Sequence, residues 1–225
     1  MKELDALPTD LHRWVVEPKW DGFHAAIHPD GKVISRRGRN LTRFFPELSE
    51  QHHDRFTIRG EIMANDWQAL TRRVHPSRSR TEKLRRTDPV QFVAYDLEIA
   101  GDFFARRRVL EVIKTPFKIT PQTRDRATAL RWLTTVPHLD GVVVKNETEV
   151  FKVKRQEVVD DTITGADKVR RVIYLTRGVT PTLSPQEFHT YADAIGQDVE
   201  VLYDGQLHHG AYRGPVKILR KRLEK

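Results

Sequence analysis

A lysine at a strand-to-turn corner, in the stretch Glu17-Pro18-Lys19-Trp20-Asp21-Gly22, constrains this chain more than any other segment. The apolar run Trp14-Val15-Val16 leads into it as a strand. Gly22 lets the backbone turn sharply, and Asp21 sets a carboxylate beside the Lys19 ammonium. Taken alone, Lys-x-Asp-Gly describes either a reactive amine or a solvated turn lysine paired with a neighbour. The residues downstream decide between the two.

The 225 residues suffice for one medium domain, or for a larger domain with a small appendage. Lys and Arg outnumber Asp and Glu, giving a net charge of +8. That excess favours a polyanionic partner, nucleic acid before an acidic membrane surface, or else a basic surface kept for solubility. The absence of cysteine excludes a disulfide framework and a Cys-ligated zinc site. No long apolar run marks a membrane span, and Met1-Lys2-Glu3-Leu4-Asp5 lacks a signal-peptide core. The expectation is a soluble, cytoplasmic protein with no membrane association.

After the corner, Phe23, Ala25 and Ile27 alternate with His24, Ala26 and His28, and Pro29-Asp30-Gly31 turns the chain back through Val33 and Ile34. This predicts a β-hairpin. It ends in Ser35-Arg36-Arg37-Gly38-Arg39-Asn40, a basic turn that either holds phosphate and ribose oxygens or is simply solvated. Strands are predicted over 56–63, 90–97, 139–145 and 149–154, and helices over 67–74, 104–114 and 124–136. Asp66 suits the N-cap of the first helix, and Val109, Leu110 and Ile113 the inward face of the second. The segment 72–86 carries seven Lys or Arg and no regular apolar stripe, so it reads as an exposed basic surface, phosphate-contacting or merely solvated. In Phe151-Lys152-Val153-Lys154 the two lysines share one strand face and the apolar residues the other. That pattern serves either an anion such as a triphosphate or an edge strand defended by lysines. Beyond about residue 155, short strands over 161–165, 170–176, 198–203 and 216–221 surround one helix opened by the capping box Ser184-Pro185-Gln186-Glu187. Asp204-Gly205 signals a hairpin turn. The pattern predicts an OB-type barrel.

In order along the chain stand Glu17 to Gly22, Ser35-Arg36-Arg37-Gly38, Arg59-Gly60-Glu61, Tyr95-Asp96, Asp140-Gly141-Val142-Val143-Val144-Lys145 and Phe151-Lys152-Val153-Lys154. This ordered set resembles the ATP-dependent polynucleotide ligases, within the nucleotidyltransferase superfamily shared with mRNA-capping enzymes. The final Arg222-Leu223-Glu224-Lys225 resembles the family's closing Arg-x-Asp-Lys, with Glu in place of Asp. The longer match from Glu17 through Phe45-Pro46-Glu47-Leu48 is similar to the DNA-joining members. Three features depart from the pattern. His24 stands where the family usually has Arg, Asp140 is commoner in capping enzymes than in DNA ligases, and only eleven residues separate Asp140 from Lys152.

The resemblance implies an α+β fold: a nucleotidyltransferase domain of antiparallel sheets with flanking helices (1–156) and a small OB-fold domain (157–225). It implies an ATP-dependent DNA ligase that seals nicked duplex DNA, using Mg²⁺ or Mn²⁺ and acting as a monomer. Lys19 would be the nucleophile. Glu17, His24, Arg36, Glu61, Tyr95, Lys152, Lys154 and Arg222 would contact the nucleotide, and Glu61 and Asp140 a metal. Arg72, Arg73, Arg78, Arg80, Arg85 and Arg86 would meet DNA phosphates. The same first step would serve an RNA ligase or capping enzyme, and a non-catalytic nucleic-acid-binding relative is the reading from a different class.

Overall fold

The computed structural model describes residues 2–74, 78–136, 139–204, 207–208, 210–212 and 216–222. The chain divides into two units, Met1–Val153 and Lys154–Lys225.

In the first unit the strands are β1 (Lys2–Leu4), β2 (Val15–Trp20), β3 (Phe23–Ile27), β4 (Val33–Ser35), β5 (Ile58–Met63), β6 (Gln91–Leu97), β7 (Lys118–Ile119), β8 (Leu139–Lys145) and β9 (Val150–Lys154). The helices are α1 (Pro46–Ser49), α2 (Trp67–Arg73), α3 (Arg78–Thr87), α4 (Phe103–Val112) and α5 (Arg126–Thr134). Two mixed sheets result, in the orders β1-β9-β8-β2 and β4-β3-β5-β6-β7. The expected antiparallel pairing is broken only at edges, where the short strands β1 and β7 add in parallel. Alternation explains the burial. Val16, Val142, Val144 and Val153 turn to one face of the first sheet and pack with Leu7, Leu11 and Ala129. The second sheet buries Ala25, Ile27, Ile58, Ile62, Phe92 and Ala94 against Phe44, Phe45, Leu70 and Leu110. Each fully buried Phe, Ile or Leu contributes roughly 1.5–3 kcal/mol relative to exposure.

The chain leaving β7 ties the two sheets together. Thr120 N–H donates to Ala94 O at 2.8 Å, and three residues on Thr123 exchanges backbone hydrogen bonds with Val16 at 3.0 and 2.9 Å. Trp20 Nε1 donates to Thr120 Oγ1 at 2.9 Å, fixing the corner after Lys19 to the same strap.

Two helices differ from expectation. The basic segment contains the helix α3, anchored, among its described side chains, by two buried ones, Thr81 and Leu84. On α4 Leu110 is buried as expected, with Val109 and Ile113 partly buried against the same core, but Phe103 and Arg107 are buried as well, so an arginine joins the inward stripe. Asp66 caps α2 as expected, accepting from Ala69 N at 2.6 Å.

The second unit is built from β10 (Glu157–Asp167), β11 (Val172–Leu175), β12 (Gly178–Val179), α6 (Pro185–Tyr191), β13 (Asp198–Tyr203), β14 (Leu207–His208), β15 (Ala211–Tyr212) and β16 (Lys217–Lys221). β10 is longer than predicted because it serves two partners in succession. Residues 157–162 pair with β13, and Ile163 to Asp167 pair with β11 across a register shift. The main sheet, β12-β11-β10-β13-β16, stays open among the described residues instead of closing as a barrel, and β14 and β15 form a separate hairpin. Ile163, Ile173, Val199 and Val201 form its core. The capping box at Ser184 and Glu187 is present in both directions. Gly205 of the expected Asp204-Gly205 turn lies outside the described residues.

Candidate active site

The register of β2 on β8 creates the central geometry. Glu17 faces Val143 and Lys19 faces Gly141, which puts both acidic and basic side chains on the face opposite the valine core. Past Gly141 the register shifts, and Trp20 pairs with Leu139, so Asp140 is an extra residue in β8. Strict alternation would send Asp140 to the core face; the bulge re-aims it. Gly141 has φ of +135°, a conformation that costs an L-residue strain. The Lys19 ammonium and the Asp140 carboxylate consequently form an ion pair. Gly22 is needed for close approach, because a Cβ there would lie 2.3 Å from Ile62 O.

Between the two sheets is a cavity of about 220 Å³ lined by Glu17, Pro18, Lys19, Trp20, His24, Arg36, Glu61, Tyr95, Val143 and Lys145. β2 and β8 supply one wall, while β3, β5 and β6 bring His24, Glu61 and Tyr95 to the other. Arg36 comes from the basic turn after β4.

Glu17 is 2% exposed and its carboxylate is held from several sides. Lys145 Nζ donates to Oε2 at 2.5 Å and Gln122 Nε2 to Oε1 at 2.7 Å, with Arg107 Nη1 3.6 Å from Oε1. Such a buried carboxylate is tolerated because it is paired, and removing one partner typically costs about 3–5 kcal/mol. Lys145 Nζ also lies 5.4 Å from the Tyr95 ring centroid and 4.4 Å from that of Phe103.

Burial pushes the Glu61 carboxyl up to about 8; Lys19 opposes this, while Asp21 and Asp140 add like charge. Burial, then the nearby Glu61, also raises the Tyr95 phenol, which stays protonated. His24 is pushed down by burial and by Arg36 and Arg59, so its ring is neutral near pH 7. Its Nδ1 is buried with no hydrogen-bond partner among the described residues, and its ring centroid lies 6.1 Å from that of Tyr95.

Of the residues singled out in the sequence, Glu17, Lys19, His24, Arg36, Glu61 and Tyr95 line the cavity, and Asp140 reaches it through Lys19. Lys152 and Lys154 are not among the lining residues. Lys152 Nζ is held by Glu3 at 2.7 Å. Arg222, in the second unit, pairs with Asp160 at 2.7 Å and Glu200 at 3.0 Å, while residues 223–225 lie outside the described residues.

The arginines of 72–86 have divergent fates. Arg73 is fully buried, donating to Phe44 O at 2.8 Å, Glu47 at 2.6 Å and Asp88 O at 3.0 Å, so the expectation that it meets DNA is corrected: it is a core staple. Arg72 pairs with Asp88 at 2.8 Å, and Arg85 pairs through both its terminal nitrogens with Glu50. Arg80 and Arg86 are exposed, and the Arg78 side chain lies outside the described residues.

Sequence reasoning missed Lys145, Gln122 and Arg107. Lys145 closes the Asp140-to-Lys145 motif, so its position was visible; its inward direction follows only from the register with Val15. Nothing in the sequence marks Gln122 or Arg107.

A lysine, an aromatic ring and a buried acid thus share one cavity on an α+β scaffold. The model of the ATP dependent DNA ligase domain matches residues 4–158, and the chain belongs to that family. Over 197 residues it is 36% identical to DNA ligase C2 of Mycolicibacterium smegmatis, covering 73% of this chain and 55% of that protein. It is 34% identical over 202 residues to DNA ligase C of Mycobacterium tuberculosis, with the same coverage. The chain thus spans about half the length of the curated relatives it matches. A structure from a structure–function study of Lig E DNA ligases superposes with a TM-score of 0.71 at 20% identity, covering 98% of this chain and 97% of that one. The ligase domain of M. tuberculosis LigD gives 0.51 at 20% identity, over 94% and 90%.

Proposed function

We propose that the chain is an ATP-dependent DNA ligase that seals nicks in duplex DNA, with residues 1–156 as its nucleotidyltransferase domain and 157–225 as an OB-fold domain. The observation that carries this reading is the single cavity holding Lys19, Glu61 and Tyr95 between the two sheets of a family member. In the first step the Lys19 ammonium, paired with Asp140 at rest, gives up a proton to solvent, Nζ attacks the α-phosphorus of ATP, and the newly bonded nitrogen sheds a second proton. The P–N bond forms, the bond to the bridging oxygen breaks, and pyrophosphate leaves with its electron pair. AMP then passes to a 5′-phosphate at the nick, and the adjacent 3′-hydroxyl displaces it.

Tyr95 supplies a stacking face for adenine, opposite Val143. Glu17 keeps lone pairs for the base amino group beyond those taken by Lys145 and Gln122. Neutral His24 and Arg36 suit ribose and phosphate oxygens. Lys152 and Lys154 lie on one side of β9, the side opposite buried Val153, and are suited to neutralise the α-phosphate as charge builds. Arg222 is assigned to the leaving pyrophosphate.

The donor set at Lys19 fits a hard cation. Glu61 and Asp140 offer oxygens, the donors that hard cations select. No group of three or more His, Cys, Asp or Glu arranged for a metal occurs among the described residues. Mg²⁺ or Mn²⁺ would be held by one or two of these carboxylates and shared with phosphate oxygens. Such an ion would supply positive charge to the polyphosphate.

Incubation with α-labelled ATP and Mg²⁺, followed by denaturation, tests the reading. Label should remain on the chain and transfer to nicked DNA. An unlabelled protein, or transfer only to nicked RNA, would overturn it.

A further inference from the structure

β1 is the edge strand of the first sheet and pairs in parallel with β9, with Glu3 opposite Lys152 and Leu4 opposite Val153. Leu4 and Val153 pack into the valine core, so Glu3 and Lys152 must project from the other face. That is the face from which Glu17, Lys19, Val143 and Lys145 line the nucleotide cavity. On it, the Glu3 carboxylate lies 2.7 Å from Lys152 Nζ. Lys152 is therefore not a bare cation awaiting phosphate. It already holds an anion, contributed by a strand about 150 positions away in sequence.

We propose that Glu3 is a positioning residue that acts through Lys152: an internal carboxylate occupying the ammonium until a triphosphate displaces it. This rests on the reading of the cavity as an ATP site. The charge argument gives its direction. A Glu3–Lys152 pair has no net charge, so a polyanion approaching it gains less than it would from Lys152 alone. The triphosphate must also separate the pair before Lys152 can face it. Glu3 thereby weakens ATP binding. Once ATP is bound and Lys152 has turned to it, the chemical step proceeds at its ordinary rate.

Glu3→Gln keeps the shape and the backbone ladder and removes the charge. The KM for ATP in lysyl-AMP formation should fall about two- to fivefold, the range of a part-exposed ion pair, with kcat unchanged. Calorimetric binding of inorganic tripolyphosphate should tighten by the same factor, a readout that needs no chemistry. In a Lys152→Ala background, Glu3→Gln should change neither quantity. A purely structural role for Glu3 at the sheet edge would lower Tm and leave KM alone. Glu3→Ser repeats the measurement should the glutamine variant fold poorly. An unchanged or raised KM, or an effect that survives loss of Lys152, would overturn the proposal. Failure of the wild type to bind tripolyphosphate or to take up label would instead overturn the reading of the cavity.

Discussion

Glu61→Gln should remove the pH dependence of stability built into the cavity. In the folded chain Glu61 keeps its proton up to about pH 8, against 4.5 for an ordinary glutamate. Between those values the folded state binds more protons than the unfolded state, so stability falls as pH rises through the window. The gap of roughly 3.5 units, at about 1.4 kcal/mol each, sets an upper limit of roughly 5 kcal/mol. Glutamine is nearly isosteric and never ionises. At pH 5 the variant and wild type should melt together. By pH 8–9 the variant should be the more stable, with a Tm gap of up to roughly 10–20 °C at the usual 2–4 °C per kcal/mol. Thermal melts of both proteins from pH 5 to 9, without nucleotide or divalent ion, measure it directly. Parallel Tm curves would refute the reasoning, because they would mean that Glu61 titrates alike in the folded and unfolded chain. The same variant should lose lysyl-AMP formation, so the acid that destabilises the fold is kept for chemistry.

Lys19→Ala should abolish covalent labelling and sealing of an ordinary nick, yet retain some closure of a pre-adenylated nick, because the proposed mechanism uses Lys19 as nucleophile in the first step alone; residual label on the variant would displace Lys19 from that role. Arg73→Ala should cost about 3–5 kcal/mol in denaturant unfolding, because it leaves Glu47 without its buried partner, and an unaltered midpoint would contradict its place in the core. Neutralising exposed Arg80 and Arg86 together should make the salt dependence of DNA binding shallower by up to about 1.8, at 0.9 per phosphate contact, with self-adenylation unchanged. Parallel salt titrations would make α3 a solvated helix.

What the sequence revealed was whatever depends on strand alternation and local turn chemistry. Glu17, Lys19 and the corner at Gly22 were readable because they lie within one strand and its exit. The Ser184 cap was readable because its partner is three residues away. Long-range facts were hidden. β1 has only three residues, and its pairing with β9 spans most of the first unit, so nothing near Glu3 announces a strand. Among its described side chains α3 buries Thr81 and Leu84, too thin a stripe to stand out among so many cations. Arg73 resembles its neighbours in sequence, and only the carbonyls of Phe44 and Asp88, brought in from elsewhere, make it a core residue. In the second unit the number of strands was legible, but strand spacing does not tell which edges meet, and among the described residues the main sheet stays open.

The one-residue excess in β8 separates folding from chemistry. Were Asp140 deleted, Leu139 would follow Gly141 in phase, and the ladder with β2 could run on without interruption. Val142 and Val144 would keep their places against Val16, and the positive φ at Gly141 would no longer be required. The outcome would be an uninterrupted sheet in which Lys19 has lost its ion-pair partner from β8. A single codon therefore separates the paired amine from an unbroken ladder. Thermal stability across homologues of this architecture should carry no information about whether they can react with a nucleotide, whereas the count of residues between Leu139 and Gly141 should.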